Sequence, residues 1–416
     1  MMTGFDWLFF SEVVLGGLLS GVMYALVALG FVLIFKASGV LNFAQGAMVL
    51  FAALTFVFLL DYGEGGVIWT WTGWLSLGLA IVAGVFYFAL RSPAIREYPR
   101  AANWALIAII LVALVVLTAM FGQDSHMWRG LFICLLAFFV LVLGVGDARS
   151  GGVVLLALAL ASLIPLGAML GVGETWNFWR AIVVTLLVMV LLALAIERWA
   201  LRPLVNQAPI ILFMVTIGLN FLIEGVAQGV WDSNVHAIDI GIPDFPIEWI
   251  DDHVGIFISR FDVFAAVTAG ALVAALALFF QKTRVGRALR AVADDHQAAL
   301  SVGIPLKNIW AIVWSAAGFV ALVAGMLWGS KLGVQFSLSL IVLKALPVLI
   351  LGGFTSIPGA IVGGLIIGVS EKVVEVYIGI PYFGGGTESW MPYILALLFL
   401  LVRPQGLFGE RIIERV

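Results

Sequence analysis

Apolar residues run through this chain in long blocks, and the short stretches between them hold most of the charge. A helix rises about 1.5 Å per residue, so roughly 20 apolar residues cross the hydrocarbon of a bilayer. On that measure the blocks predict thirteen spanning helices, over residues 12–35, 43–60, 73–90, 102–121, 130–146, 151–172, 179–197, 208–231, 261–281, 308–329, 336–353, 358–378 and 390–402. The shorter blocks also read as re-entrant segments, which lowers the count to as few as ten. The implied fold class is all-α, a polytopic membrane helix bundle. Composition agrees: 63% of the 416 residues are hydrophobic and 11% charged, where a soluble domain carries about 25% charged residues. Mean hydropathy of +1.16 excludes a water-soluble globular protein. The one cysteine, Cys134, lies inside an apolar block, which excludes an intrachain disulfide framework and a CxxC site. The leader Met1 to Glu12 has no Lys or Arg and no evident cleavage site, so the first block is expected to be an uncleaved span.

Charge sets the orientation, because short cytoplasmic loops collect Lys and Arg. An outer N-terminus places Lys36, then Arg91, Arg96 and Arg100, then Arg149, then Arg198 and Arg202, then Lys282 to Arg290, and finally Arg403, Arg411 and Arg415 inside. Asp61, Glu64, Asp124, Glu174 and the acidic stretch from Asp232 to Asp252 fall outside. Thirteen spans with N-out and C-in satisfy this pattern, with Arg129, Arg180, Arg260 and Lys331 as isolated exceptions. One inner loop carries an element of its own. From Lys282 to Lys307, Leu289, Val292, Ala293 and Leu300 recur among charges and the stretch closes on Gly303 and Pro305, which predicts an amphipathic helix. Asp294 and Asp295 suit anionic headgroups poorly, so the helix is expected to dock on a cytosolic partner rather than on lipid.

The chemistry within the spans is sparse. No GxxxxGK[ST] phosphate cradle is present, since GMLWGSK at Gly325 to Lys331 fails the spacing, and neither an HExxH nor a nucleophile elbow occurs. No enzymatic activity, metal site, resident cofactor or nucleic-acid partner is expected. His236 and His253 share an acidic outer loop whose spacing fits no compact metal site and reads as a solvated face. Ionisable groups inside a membrane usually face a cavity or a partner. Thr216, Asn220, Glu224 and Gln228 recur every four residues and form one polar stripe. Lys344 lies mid-span, within expected reach of Glu224 or Glu371, either as an ion pair holding helices together or as a polar wall for a zwitterion. Asn42 and Gln45 interrupt an apolar run, and broken backbone at membrane depth often borders a pathway, though amides also cap helices. The candidate translocation residues are therefore Asn42, Gln45, Thr216, Asn220, Glu224, Lys344 and Glu371. Gly17 and Gly21, Gly359 and Gly363, and Gly364 and Gly368 are spaced four apart, which predicts close helix approach.

Three blocks of the sequence resemble the branched-chain amino acid (Liv-type) ABC transporter permeases. The first is GGLLSGVMYALVALGFVLIF followed by LNFAQG, Gly16 to Gly46, where Gln45 replaces the histidine of the family's NFAHG-like segment. The second is IERWALRPL with ILFMVTIGLNFLIEG, Ile196 to Gly225. The third joins TRVGRALRAVADDHQAALSVGI, LKALPVLILGGFTSIPGAIVGGLIIG and LLVRPQGLFG. The resemblance implies an ABC importer permease fold, with residues 1–72 as N-terminal spans, 73–172 as inserted transmembrane helices and 173–416 as the main core. It implies a coupling helix at 284–303 that sits in a groove of the ATPase through Arg287, Ala291, Ala293, Asp294, Asp295, Ala298 and Gly303, although the motif's glutamate is missing. It also implies a second Liv-type permease subunit, two cytosolic ATP-binding subunits that hydrolyse the ATP, a periplasmic substrate-binding protein and a bacterial inner-membrane location. An ion-coupled secondary transporter using Glu224, Lys344 and Glu371 is the alternative from another class. Urea, amides and aromatic acids remain open as substrates beside hydrophobic amino acids.

Overall fold

Asp6 starts the first helix, because its carboxylate accepts the backbone amides of Leu8 and Phe9 at 3.0 and 3.2 Å. The helix, α1 (Trp7–Ser38), ends where Gly39 takes φ 69° and its amide reaches Phe35 O at 2.7 Å. The computed structural model describes residues 6–61, 174–204, 207–231, 233–294, 296–304 and 306–409, and helices are numbered over these. Next come α2 (Gln45–Asp61) and α3 (Glu174–Ala195), which runs on through a π turn, Ile196–Leu201, and a 3-10 turn, Arg202–Leu204. Then follow α4 (Pro209–Trp231), α5 (Glu248–Val254), α6 (Arg260–Lys282), α7 (Arg284–Asp294), α8 (His296–Ser301) and α9 (Leu306–Leu332). A 3-10 turn, Phe336–Leu340, leads into α10 (Ile341–Gly352), and α11 (Ile357–Val374) continues as a π-helical stretch, Glu375–Phe383, before α12 (Met391–Val402).

Six helices among the described residues are long and apolar enough to cross a membrane: Trp7–Ser38, Ala181–Leu204, Ile210–Trp231, Arg260–Lys282, Ile309–Leu332 and Ile357–Phe383. Three further predicted blocks, 43–60, 336–353 and 390–402, form the shorter apolar helices Gln45–Leu60, Phe336–Gly352 and Met391–Val402. The four blocks between 73 and 172, and the proposed insertion they make up, lie outside the described residues. No strand forms among the described residues beyond two isolated bridges, His236 to Val334 and Pro246 to Ser259. The described residues are thus all-helical, with several helices long and apolar enough to cross a membrane.

Contacts divide it into two units. The first comprises Met1–Leu54, Leu192–Gly225 and Ser233–Val416, and α1 is its axis, packed against α6, α9, α10 and α11. Small residues decide that packing. A Cβ on Gly21 would come within 2.6 Å of Gly364 O, and one on Gly364 equally close to Gly21 O, so α1 and α11 touch backbone to backbone. A Cβ on Gly363 would lie 2.6 Å from Val348 O, which brings α10 against α11 in the same way. The break between those two helices is closed by the C-terminal segment: Leu407 N bonds Leu351 O (2.8 Å) and Phe408 N bonds Gly352 O (3.1 Å), satisfying carbonyls that the end of α10 leaves open. Ser356 then caps α11 through Gly359 N at 3.0 Å, with Pro358 in the first turn. The second unit comprises Thr55–Leu191 and Val226–Asp232. Within it Phe56 of α2 and Phe178 of α3 meet edge to face at 5.6 Å.

The segment expected to be helical over 284–303 is helical over α7 and α8, and Asp295 between them lies outside the described residues.

Candidate functional site

Lys344 enters α10 on its first turn and meets α11 across the glycine contact. Its Nζ lies 2.8 Å from Glu371 Oε1. The Tyr24 hydroxyl of α1 donates to the same oxygen at 3.0 Å and lies 3.4 Å from Lys344 Nζ. The ammonium stands 5.7 Å from the centroid of the Tyr24 ring. Trp328 of α9 stacks on that ring, with centroids 5.3 Å apart and planes inclined by 17°. Glu371 is 2% exposed and Lys344 27%. Of the two carboxylates that the sequence offered to Lys344, the structure selects Glu371. Glu224 is half-buried on α4 and makes no ion pair among the described residues. Tyr24 and Trp328 carry no signal of charge and were missed. A signal exists nonetheless: Tyr24 follows Gly21 by three residues and Glu371 follows Gly368 by three, so each polar side chain stands one turn beyond a glycine of the contact.

The polar stripe on α4 winds out of the interior. Thr216 and Asn220 are buried, Glu224 is half-buried and Gln228 is exposed, as expected from a drift of about 40° for each step of four residues. Thr216 Oγ1 accepts Phe43 N at 3.1 Å, and its own hydrogen serves Phe213 O (2.8 Å) or Leu41 O (3.1 Å). It therefore pins the non-helical link between α1 and α2. In that link, Asn42 Nδ2 donates to Gln45 Oε1 at 3.4 Å, and Gln45 Nε2 donates to Ala317 O of α9 at 3.4 Å. Gly30 leaves the room for this amide, since a Cβ there would stand 2.5 Å from Gln45 Nε2. Asn42 and Gln45 are fully buried. Asn42 does not cap α2 through its side chain; the Gln45 amide bonds its backbone oxygen at 3.1 Å. These two residues and Thr216 link α2, α4 and α9, with Asn42 Oδ1 left buried and unbonded among the described residues.

The α7–α8 segment is welded to the end of α6. Thr283 Oγ1 accepts Gly286 N at 3.2 Å, and Arg290 Nη1 donates to Phe280 O at 2.9 Å. Gly286 presses so closely on the Phe280 backbone that no side chain fits between them. Leu289, Val292 and Ala299 are buried, Ala291 and Ala293 half-buried, and Arg287, Asp294 and Ala298 exposed. Leu300, expected on the inward face, is instead 54% exposed, and Val302 beside it is 77% exposed. Gly303 closes α8 at φ 83°, with its amide on Leu300 O at 3.0 Å.

Several other charges near the span ends are paired. Arg202 and Glu197 form a two-point contact across the π turn, at 3.0 and 2.8 Å. Two of the exceptions to the charge rule are neutralised locally, Arg260 by Glu248 at 3.1 Å and Lys331 by Asp262.

Comparison with known proteins shows the same lineage. Residues 130–403 match the family described as the permease component of the branched-chain amino acid transport system. The chain is 31% identical over 228 residues to the high-affinity branched-chain amino acid transport system permease protein LivH of Escherichia coli K12, covering 53% of this chain and 71% of that one. The permease protein BraD of the corresponding system in Pseudomonas aeruginosa is 32% identical over 224 residues, covering 53% and 71%. The probable LivH of Methanocaldococcus jannaschii is 29% identical over 221 residues, covering 50% and 68%. No solved structure matches the chain significantly. A permease of this kind works with separate ATP-binding subunits, which accounts for a chain that carries no phosphate cradle and displaces the reading as an ion-coupled carrier. The chain belongs to the family of branched-chain amino acid transport permeases.

Proposed function

We propose that this chain is one of two permease subunits in a binding-protein-dependent importer of branched-chain amino acids in a bacterial inner membrane. It would have thirteen spans, an outer N-terminus and an inner C-terminus, with residues 73–172 forming an inserted block of four spans. Two cytosolic ATPases would supply the hydrolysis and a periplasmic protein would deliver the substrate. The relatives' printed function supports the substrate, and the Lys and Arg distribution supports the orientation. In this reading Lys344, Glu371, Glu224 and Asn220 border the route, while Asn42, Gln45 and Thr216 hold its closed form.

The observation that carries the reading is the α7–α8 segment. It is anchored at one end to α6 through Arg290 and Gly286 and runs at the other into α9, both long enough to span a membrane. A displacement of this segment therefore pulls on two spans at once. Its exposed surface presents Arg287, Asp294, Ala298, Leu300 and Val302, a mixture of charge and exposed apolar side chain suited to a groove on another protein. The test is a cysteine at Ala298 in the assembled transporter. Crosslinking to the ATPase, sensitive to nucleotide, is the expected result. A segment that never crosslinks removes the coupling assignment.

A further inference from the structure

The final carbonyls of α1 have no partner within their own helix. Gly39 N takes that of Phe35 at 2.7 Å, and that of Ala37 accepts the indole Nε1–H of Trp310 at 3.0 Å. Trp310 stands near the start of α9, directly after the α7–α8 segment and 273 positions along the chain from Ala37. Both residues are buried, so water does not replace this bond. Two other tryptophans of α9, Trp314 and Trp328, bury their indole N–H groups without a partner. Filling space along α9 therefore does not by itself bring an indole nitrogen onto a carbonyl. Trp310 makes such a bond where the α7–α8 segment runs into the span.

A hydrogen bond and an apolar contact resist different movements. Apolar burial has no direction and lets two helices slide along one another, whereas a hydrogen bond weakens steeply as its distance and angle change. The bond from Trp310 to Ala37 therefore fixes the axial register of α9 on α1. From there α1 carries the constraint further. Phe35, on the same turn as Ala37, meets Phe354 of the link between α10 and α11, with ring centroids 5.3 Å apart. Gly17 and Gly21 press on the backbone of α11 at Gly368 and Gly364. Glu371, one turn beyond Gly368, holds both Tyr24 of α1 and Lys344 of α10. The end of α1 thus stands between the α7–α8 segment and the ion pair.

We propose that Trp310 is the positioning residue through which a displacement of the α7–α8 segment reaches α1, and through α1 the Lys344–Glu371 pair. This rests on the coupling role of α7–α8 and names the residue that carries it onward. Trp310→Phe keeps an aromatic ring beside α1 and removes the N–H. In proteoliposomes containing the whole transporter, ATP hydrolysis should stay within about twofold while leucine uptake falls about tenfold, the effect of leaving one buried carbonyl without its donor. The ratio of ATP hydrolysed to leucine taken up therefore rises. An unchanged or lowered ratio overturns the proposal, and a parallel fall in both activities assigns Trp310 to packing. A second measurement follows the movement itself, as the distance between spin labels at Lys36→Cys and Ala298→Cys in a background lacking Cys134. With Trp310 in place the distance should be the same with and without nucleotide, and in Trp310→Phe it should change with nucleotide. A distance that already changes with Trp310 in place shows that α1 does not follow the segment. One that stays constant in Trp310→Phe shows that another contact carries the movement, and either result overturns the proposal. If the cysteine at Ala298 crosslinks to the ATPase while Trp310→Phe keeps its ratio, the coupling segment stands and this inference falls. If that cysteine never crosslinks, both fall.

Discussion

Lys344 and Glu371 matter most when one is removed. Lys344→Met leaves Glu371 buried and uncompensated, a loss of roughly 3 to 5 kcal/mol. Replacing both, Lys344→Met with Glu371→Gln, should restore part of that loss, because no buried charge then lacks its partner. Thermal unfolding of the purified transporter for the two single variants and the double variant checks this, and additive losses would argue against a coupled pair. Among the described residues Glu224 has no ion-pair partner to strand, so Glu224→Gln should change stability by less than about 0.5 kcal/mol. A fall in its transport would then report on the route rather than on the fold. Gly303 is a different case, since its φ of 83° excludes side chains on backbone grounds. Gly303→Val should cost about 1 to 2 kcal/mol, felt locally at the end of α8.

The helices show where small residues act as structure. Gly21→Leu forces α1 from α11 at the point where their backbones touch, and the expected outcome is loss of the permease from the membrane fraction, read by immunoblot. Gly286→Ala pushes α7 off the end of α6 with no flexible neighbour to yield, so it should detach the cytoplasmic segment while leaving the spans assembled. Ala291→Trp tests the segment's function without breaking its anchor. ATP hydrolysis should persist while uptake is lost, measured together in proteoliposomes. Full transport by that variant would defeat the coupling role. Periodicity made the amphipathic nature of this segment legible, yet it placed Leu300 inward, where the structure exposes it.

Across the whole molecule, orientation is the property that one experiment resolves. A membrane-impermeant thiol reagent should label Glu248→Cys from the periplasm and Val302→Cys only after the cytoplasmic side is opened, in a background lacking Cys134. These positions flank α6, Glu248 before its start and Val302 beyond its end, and a helix of 23 residues covers about 35 Å. Labelling of both from the same side would refute the crossing of α6 and the charge-based orientation with it. If residues 73–172 form the four spans proposed for them, their removal should leave both labels unchanged, because an even number of spans returns the chain to the side it left.

Local properties of the chain were determined by the sequence alone: which of the described blocks are helical, that they belong in a membrane, which loops are basic, where glycines permit close approach, and that the chain carries no phosphate cradle of its own. Hydropathy, charge and spacing express these within a few tens of residues. What only the tertiary structure decided is partnership. Tyr24 and Glu371 stand 347 positions apart, and nothing near either one names the other. The choice of Glu371 over Glu224, the Trp328 stack on Tyr24 and the burial of Asn42 and Gln45 against α9 all depend on how α1, α9, α10 and α11 cross. Those crossings are set by the fit of backbone against backbone, a non-local property that composition and periodicity do not encode.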